Sequence, residues 1–250
     1  MKADDLLARI VVVLCRPSHP GNIGAAARAM KTMGLSRLRL VAPRTFPHPE
    51  ADARAAGAVD ILSQASVCSS LPEALAGTLK AVALTARGRD LGPTPLGVRP
   101  AVAGLMAAAA EGEVALVFGN ETNGLTNDEL LCCQVAVTIP ADPAFSSLNL
   151  GAAVQVMAYE LRMAAWEGRP PEALGATPSV SAPATLEEVE GFYSHLEAVM
   201  TASGFYNPAQ PGRLLPKLRR LFGRAALERD EINILRGILA ATQQKTGHGR

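Results

Sequence analysis

The sequence lacks the features that mark several common functional classes. Its four cysteines, Cys15, Cys68, Cys132 and Cys133, form no CxxC pair and stand near no histidine cluster, which argues against a zinc site. The vicinal Cys132–Cys133 is expected as two buried thiols, because a bridge between neighbours closes a strained ring. Such cysteine usage points to a reducing cytoplasm. No apolar run is long enough to cross a bilayer. The N-terminal MKADDLLARIVVVLC carries Asp4 and Asp5 and breaks its apolar run early, unlike a secretion signal. GxGxxG after the first strand, GxxxxGK(S/T) and GxSxG are all missing, which leaves a Rossmann dinucleotide site, a P-loop and a hydrolase elbow without support. None of the four histidines pairs at metal-ligand spacing: His19 reads as a turn residue, His48 lies in FPHPE, His195 in a helix and His248 in the tail.

Against these absences stand 250 residues with 48% hydrophobic and 19% charged content, as expected of a soluble globular protein of one or two domains. The net charge of +1 names no partner, but its distribution is uneven. Between Leu6 and Pro49 there is no acidic residue, while Arg9, Arg16, Arg28, Lys31, Arg37, Arg39 and Arg44 are basic. A second block, Arg213, Lys217, Arg219, Arg220 and Arg224, also lacks carboxylates. Basic clusters in a neutral chain are a footprint for phosphate backbones, although either cluster alone serves equally as a solvated face.

Strand and helix signals alternate as far as Trp166. IVVVLC (10–15), LRLV (38–41), AVALTA (81–86), VALVFG (114–119) and VAVTIP (135–140) read as buried strands. Helices are expected over 22–33, around 71–78 and over 148–165, the last with Val154, Met157, Ala158 and Leu161 on one stripe. This alternation predicts an α/β fold with a mostly parallel sheet and helices on both faces, over residues 1–166. The Pro-rich stretch over 167–185, with Pro170, Pro171, Pro178 and Pro183, reads as a linker. Beyond it, 186–250 is a small helical appendage: amphipathic helices over 186–205 and 231–244 with a basic segment between them.

Ligands of α/β sheets sit outside the carboxyl ends of the strands. Four loops there are rich in small and polar residues: Gly21-Asn22-Ile23-Gly24, Thr85-Ala86-Arg87-Gly88, GNETNGL (119–125) and IPADPAFSSLNLG (139–151). In GNETNGLTNDE a capping box explains Thr126 and Glu129 without invoking a ligand. It does not explain Glu121, a carboxylate directly after a buried strand and between two glycines. Ser146-Ser147-Leu148-Asn149 can cap the long helix, or can hold an anion or a polar ligand edge there.

Three segments in order, GNIGAAARAMKTMGL, LVFGNETNGLTNDEL and IPADPAFSSLNLGAAVQVMAYELR, resemble the SpoU branch of the SPOUT methyltransferases. FYSHLEAVMTASGF, KLRRLFGRA and EINILRGIL extend the resemblance to the tRNA ribose 2'-O-methyltransferases of that branch, which act at position 32 of the anticodon loop. The resemblance implies a catalytic domain with a C-terminal trefoil knot, S-adenosylmethionine as cofactor with no metal, an obligate homodimer, and tRNA as partner. Carried over by position, Arg28, Asn22, Glu121, Ser147 and Asn149 are the implied catalytic residues. Thr85, Ala86, Gly119, Glu121, Ile139, Ser147 and Leu148 are the implied cofactor contacts, and Arg16, Arg28, Lys31, Lys217, Arg219 and Arg220 face RNA.

In-line displacement from a sulfonium needs alignment of the ribose hydroxyl and loss of its proton. The family reading makes Arg28 the base for that proton. A guanidinium stays protonated in ordinary protein settings, which favours Arg28 as a phosphate anchor that stabilises developing oxyanion character. Ser147 and Asn149 then orient the hydroxyl. The alternatives are ribosomal RNA as the substrate and a non-catalytic RNA-binding module of the same fold.

Overall fold

A computed structural model describes residues 3–86, 92–93, 95–166 and 181–247. The chain divides into two compact units, Met1–Ala173 and Leu174–Arg250. Among the described residues, the first unit is built on seven strands: β1 (Ile10–Cys15), β2 (Arg37–Val41), β3 (Ser66–Cys68), β4 (Lys80–Leu84), β5 (Pro95–Leu96), β6 (Val114–Phe118) and β7 (Val135–Val137). They form one sheet in the order β3-β2-β1-β6-β4-β7-β5. Each neighbouring pair is parallel. All six residues of β1 are buried, so the sheet is covered on both faces, as a continuous β-branched run requires. The return of the chain to set β6 between β1 and β4 brings the carboxyl ends of β1, β6, β4 and β7 side by side.

The helices of this unit are α1 (Ala3–Leu7), α2 (Pro20–Thr32), α3 (Pro49–Ala55), α4 (Val59–Ser63), α5 (Leu71–Leu75), α6 (Val98–Glu111), α7 (Asn127–Leu131) and α8 (Leu150–Trp166). α2 begins two residues before the expected start, because His19 caps it: its Nδ1 accepts from the Gly21 N–H at 3.2 Å. Pro20 then occupies a first-turn position where no N–H is needed. α3 lies directly on α2 at Gly24, where a Cβ would come within 2.1 Å of the Ala51 carbonyl oxygen. α8 packs against α2 at Gly151, where a Cβ would meet the Ala25 Cβ at 2.9 Å. The predicted stripe Val154, Met157, Ala158 and Leu161 is buried.

Two strands and the helices α1, α3, α4 and α6 are additions to the elements read from sequence. β3 is three residues long with two exposed, and β5 is a two-residue edge pairing with β7, where Pro95 is tolerated. α6 buries Val98, Ala101, Val102, Leu105, Met106 and Ala109 at helical spacing, but alanines on its outer face hide the period. Of the vicinal cysteines only Cys133 is buried; Cys132 is half-buried, since it closes α7 at the surface. None of the four cysteines forms a disulfide.

The second unit holds α9 (Leu186–Ala202), α10 (Leu214–Ala225) and α11 (Arg229–Gly247). Thr185 and Glu188 form a capping box on α9. Phe192, Ala184 and Ile232 centre a small core, and the Phe222 ring of α10 meets Phe192 edge-on at 4.9 Å. The basic segment is thus itself a helix, with Pro216 inside its first turn. Residues 167–180 of the expected linker and His248 lie outside the described residues. Residues 181–185 belong structurally with the second unit: Pro183 pairs with Glu228, and the Ala184 N–H donates to the Leu227 carbonyl at 3.3 Å.

Candidate active site

The site begins where β6 ends. At Gly119 the chain turns so tightly that a Cβ would lie 2.2 Å from the Gly124 carbonyl carbon, so only glycine fits. Asn120 and Gly124 then pair through both backbone bonds, at 3.2 and 2.8 Å, with Gly124 at φ +66°. The Asn120 Oδ1 accepts from the Thr122 N–H at 2.9 Å, and its Nδ2 donates to the Arg16 carbonyl at 2.7 Å. The loop is therefore a closed hoop tied to the end of β1.

Glu121 projects from this hoop onto the β1–α2 loop. Its Oε2 accepts from the Ser18 N–H at 2.9 Å and the Ser18 hydroxyl at 2.8 Å. Its Oε1 accepts from the His19 N–H at 3.2 Å and the Asn22 Nδ2 at 3.0 Å. Partial burial opposes the charge, but the Ser18 amide and hydroxyl and the Asn22 side chain outweigh it and hold the carboxyl below the ordinary Glu range. The Asn22 Oδ1 in turn accepts from the Asn149 Nδ2 at 3.1 Å. Asn149 closes the chain of contacts by capping α8, its Oδ1 accepting from the Gly151 N–H at 2.9 Å.

These loops enclose a pocket of about 440 Å³, within the range that holds a nucleoside-sized ligand. Thr85, Ala86, Gly119, Glu121, Ile139, Ser147 and Leu148 all line it. Asn22 and Asn149 are not pocket-lining; they stand behind Glu121 and link its loop to the other two. Arg28 is outside the pocket as well, exposed on α2 one turn beyond Ala25, with no partner among the described residues. Arg87 and Gly88 lie outside the described residues.

The basic residues expected to face RNA divide into two groups. Arg16 is held by Glu129 through two bonds of 2.8 and 2.7 Å, and Lys31 donates to Asp60 at 2.7 Å and to the Gly57 carbonyl at 2.8 Å. Arg219 grips Glu190 through both nitrogens, at 2.5 and 2.7 Å, and lies 4.4 Å over the Tyr193 ring. Arg28, Lys217 and Arg220 are exposed. The sequence gives no direct sign of a role for Ser18 or Asn120, both of which build the site; the one signal for Asn120 is its place in the loop bounded by Gly119 and Gly124. Among the described residues no group of three or more His, Cys, Asp or Glu is placed to hold a metal ion, and no helix is long and apolar enough to cross a membrane.

The pocket lies among the loops at the carboxyl ends of a parallel sheet, where α/β proteins bind their ligands. Residues 9–159 match the SpoU rRNA Methylase family, and the chain belongs to it. Residues 187–250 match a second family, the C-terminal domain of the tRNA methyltransferase TrmJ. The tRNA (cytidine/uridine/adenosine-2'-O-)-methyltransferase TrmJ of Pseudomonas aeruginosa is 51% identical, over 96% of this chain and 95% of that protein. The crystal structure of TrmJ from Zymomonas mobilis (Z. mobilis ZM4) superposes with a TM-score of 0.82 at 34% identity, covering 93% of this chain and 98% of that one. The SpoU methyltransferase AviRb from Streptomyces viridochromogenes, in complex with the cofactor AdoMet, aligns at 26% identity and a TM-score of 0.51 over 63% of this chain and 58% of its own.

Proposed function

We propose that this protein methylates a ribose 2'-hydroxyl of tRNA, at position 32 of the anticodon loop, with S-adenosylmethionine as the methyl donor. The observation that carries the reading is the convergence of Thr85, Ala86, Gly119, Glu121, Ile139, Ser147 and Leu148, from the three loops after β4, β6 and β7, on one pocket. The donor set suits the group: apolar Ile139 and Leu148 offer walls for an adenine, and the tight hoop after Gly119 presents backbone polar atoms. When bound, the cofactor supplies a methyl on a sulfonium, whose displacement neutralises a positive charge and requires no covalent enzyme intermediate.

The protein's own groups have distinct tasks in this reading. Glu121 has both oxygens occupied by four donors and a depressed pKa, so it is a poor base. It fixes the β1–α2 loop against the pocket instead. Asn149 is committed to Asn22 and to Gly151, which leaves Ser147, exposed at the pocket wall, to orient the ribose hydroxyl. Arg28, exposed on α2 and without a partner among the described residues, anchors a phosphate next to the target nucleotide and stabilises developing negative charge on the 2'-oxygen. Lys217 and Arg220 supply sequence-independent phosphate contacts.

The reading carries with it a trefoil-knotted catalytic domain over 1–166, a linker over 167–185, a helical extension over 186–250, a homodimer and a cytoplasmic location. The match of residues 187–250 to the TrmJ C-terminal domain favours tRNA over ribosomal RNA. Incubation of unmodified tRNA with protein and methyl-labelled cofactor, followed by mapping of the 2'-O-methyl nucleotide, tests it. Label at position 32 is the expected result. Binding of tRNA without transfer selects a non-catalytic module, and label only in ribosomal RNA selects the alternative substrate.

A further inference from the structure

β1 ends at Cys15, and the next residue takes an unusual conformation. Arg16 sits at φ +49°, in the left-handed region, with its N–H donating to the Val41 carbonyl at 2.7 Å and its carbonyl accepting from Asn120 at 2.7 Å. An arginine in that region is uncommon and persists where its surroundings hold it. The side chain then runs under the hoop. Its Nε donates to Glu129 Oε1 at 2.8 Å, and its Nη2 donates to Glu129 Oε2 at 2.7 Å and to the Gly124 carbonyl at 3.3 Å. The same Glu129 Oε2 accepts from the Thr126 N–H at 2.7 Å, which closes the capping box of α7. Arg16 thus holds both ends of the segment 120–126, through its carbonyl at Asn120 and through its guanidinium at Gly124 and, by way of Glu129, at Thr126; most of that segment lines the pocket.

We propose that Arg16 is a positioning residue for the cofactor pocket and not an RNA ligand, acting with Glu129 as a brace that holds the 119–125 hoop in its binding shape. This rests on the reading of the pocket as the S-adenosylmethionine site. The geometry is specific to arginine, because the planar fork meets both carboxylate oxygens and one carbonyl together, and an ammonium cannot do so. The Glu129 side chain is only 13% exposed, so removal of the fork leaves a largely buried carboxylate with one remaining amide donor. The hydrogen bond to Glu129 also raises the Arg16 pKa, so the brace is charged throughout the working range of pH.

The rival role predicts different numbers. An arginine that binds a phosphate contributes about one to the salt slope of tRNA binding, and its loss weakens tRNA without touching the cofactor. The test uses the full chain with Arg16→Met, Arg16→Lys and Glu129→Gln, read by calorimetric titration of S-adenosylmethionine and by tRNA binding across salt concentrations. The brace predicts a rise of about tenfold or more in the cofactor Kd for Arg16→Met and Glu129→Gln, little recovery in Arg16→Lys, and an unchanged salt slope. A cofactor Kd within twofold of wild type, with a salt slope reduced by about one, overturns it. Amide hydrogen exchange of ligand-free protein provides the second measurement. The Asn120 and Gly124 amides exchange faster in both charge-removing variants if the brace holds, and unchanged exchange overturns it. That readout needs no cofactor, so a wild-type protein that fails to bind S-adenosylmethionine sinks the functional reading and leaves the brace to be judged by exchange. If Arg16→Met fails to fold, Glu129→Gln decides, because loss of a carboxylate cannot remove a phosphate contact.

Discussion

The Asn149 side-chain amide donates to the Asn22 side-chain oxygen at 3.1 Å, across 127 positions of sequence. Asn22 then donates to Glu121, so one asparagine joins the β1–α2 loop, the hoop after β6 and the start of α8. Substitution Asn22→Ala leaves a Glu121 oxygen and the Asn149 amide without that partner. Steady-state kinetics should show kcat/KM down by about 10²-fold, as expected for a small misplacement of the reacting groups. Thermal unfolding should move by only about 1 kcal/mol, the net worth of an ordinary hydrogen bond.

Acid should loosen the same junction. The Glu121 carboxyl is depressed in the folded state, so its contribution to stability is complete above the ordinary carboxyl pKa and is lost as pH falls through the lower folded value. Glu129, held down by Arg16 and the Thr126 amide against the penalty of burial, acts in the same direction. The difference in Tm between wild type and Glu121→Gln is therefore expected to be constant near neutrality and to shrink below about pH 4. A difference that persists unchanged at pH 3 would contradict the assignment.

Gly119→Ala places a methyl group within 2.2 Å of backbone that has nowhere to move without opening the hoop. The expected outcome is loss of cofactor binding by calorimetry, together with about 1–3 kcal/mol of lost stability from overpacking. Gly124→Ala is a milder comparison, since open space surrounds that position and only its φ of +66° resists a side chain.

Arg28→Ala separates catalysis from folding. The side chain is exposed and unpartnered among the described residues, so denaturant unfolding should stay within about 0.5 kcal/mol of wild type. Methyl transfer should fall by about 10²-fold or more if the guanidinium stabilises charge in the transition state. Near-full turnover in this variant would remove Arg28 from both of its suggested roles, anchor and base.

Within KLRR the lysine and the first arginine should behave in opposite ways. Lys217→Ala is expected to lower the salt slope of tRNA binding by about one, with unchanged unfolding. Arg219→Ala removes the paired bonds to Glu190 and the stack on Tyr193, whose hydroxyl burial has pushed up to about 12. It should instead lower the melting temperature of the helical unit, measured by circular dichroism.

Residues whose environment is set locally could be read from sequence. Ile10–Cys15 and Val114–Phe118 are continuous buried runs, and the α8 stripe repeats at helical spacing, so each announces its own burial. β5 does not, because its two exposed residues become a strand only through pairing with β7. At the site, Glu121 was legible as a carboxylate with no structural reason to stand between two glycines. Glu129 was legible as a capping residue, but its second partner is 113 positions away and depends on how β1 ends. The same holds for Arg16, Lys31 and Arg219, where a basic side chain seen in sequence says nothing of the carboxylate that claims it.

Gly24 lets α3 rest on α2 through backbone, and Gly151 lets α8 press on it from another direction. The Ala51 carbonyl and the Ala25 methyl have no rotamers with which to accommodate a shift, so α2 has a single seat. Arg28 is thus a long arm on an immobile post, and its reach is set by its own four torsions. A change in the nucleotide that this protein accepts would have to arise in the loops around the pocket, because the helix that carries the arm cannot be re-aimed without first making room at one of those two glycines.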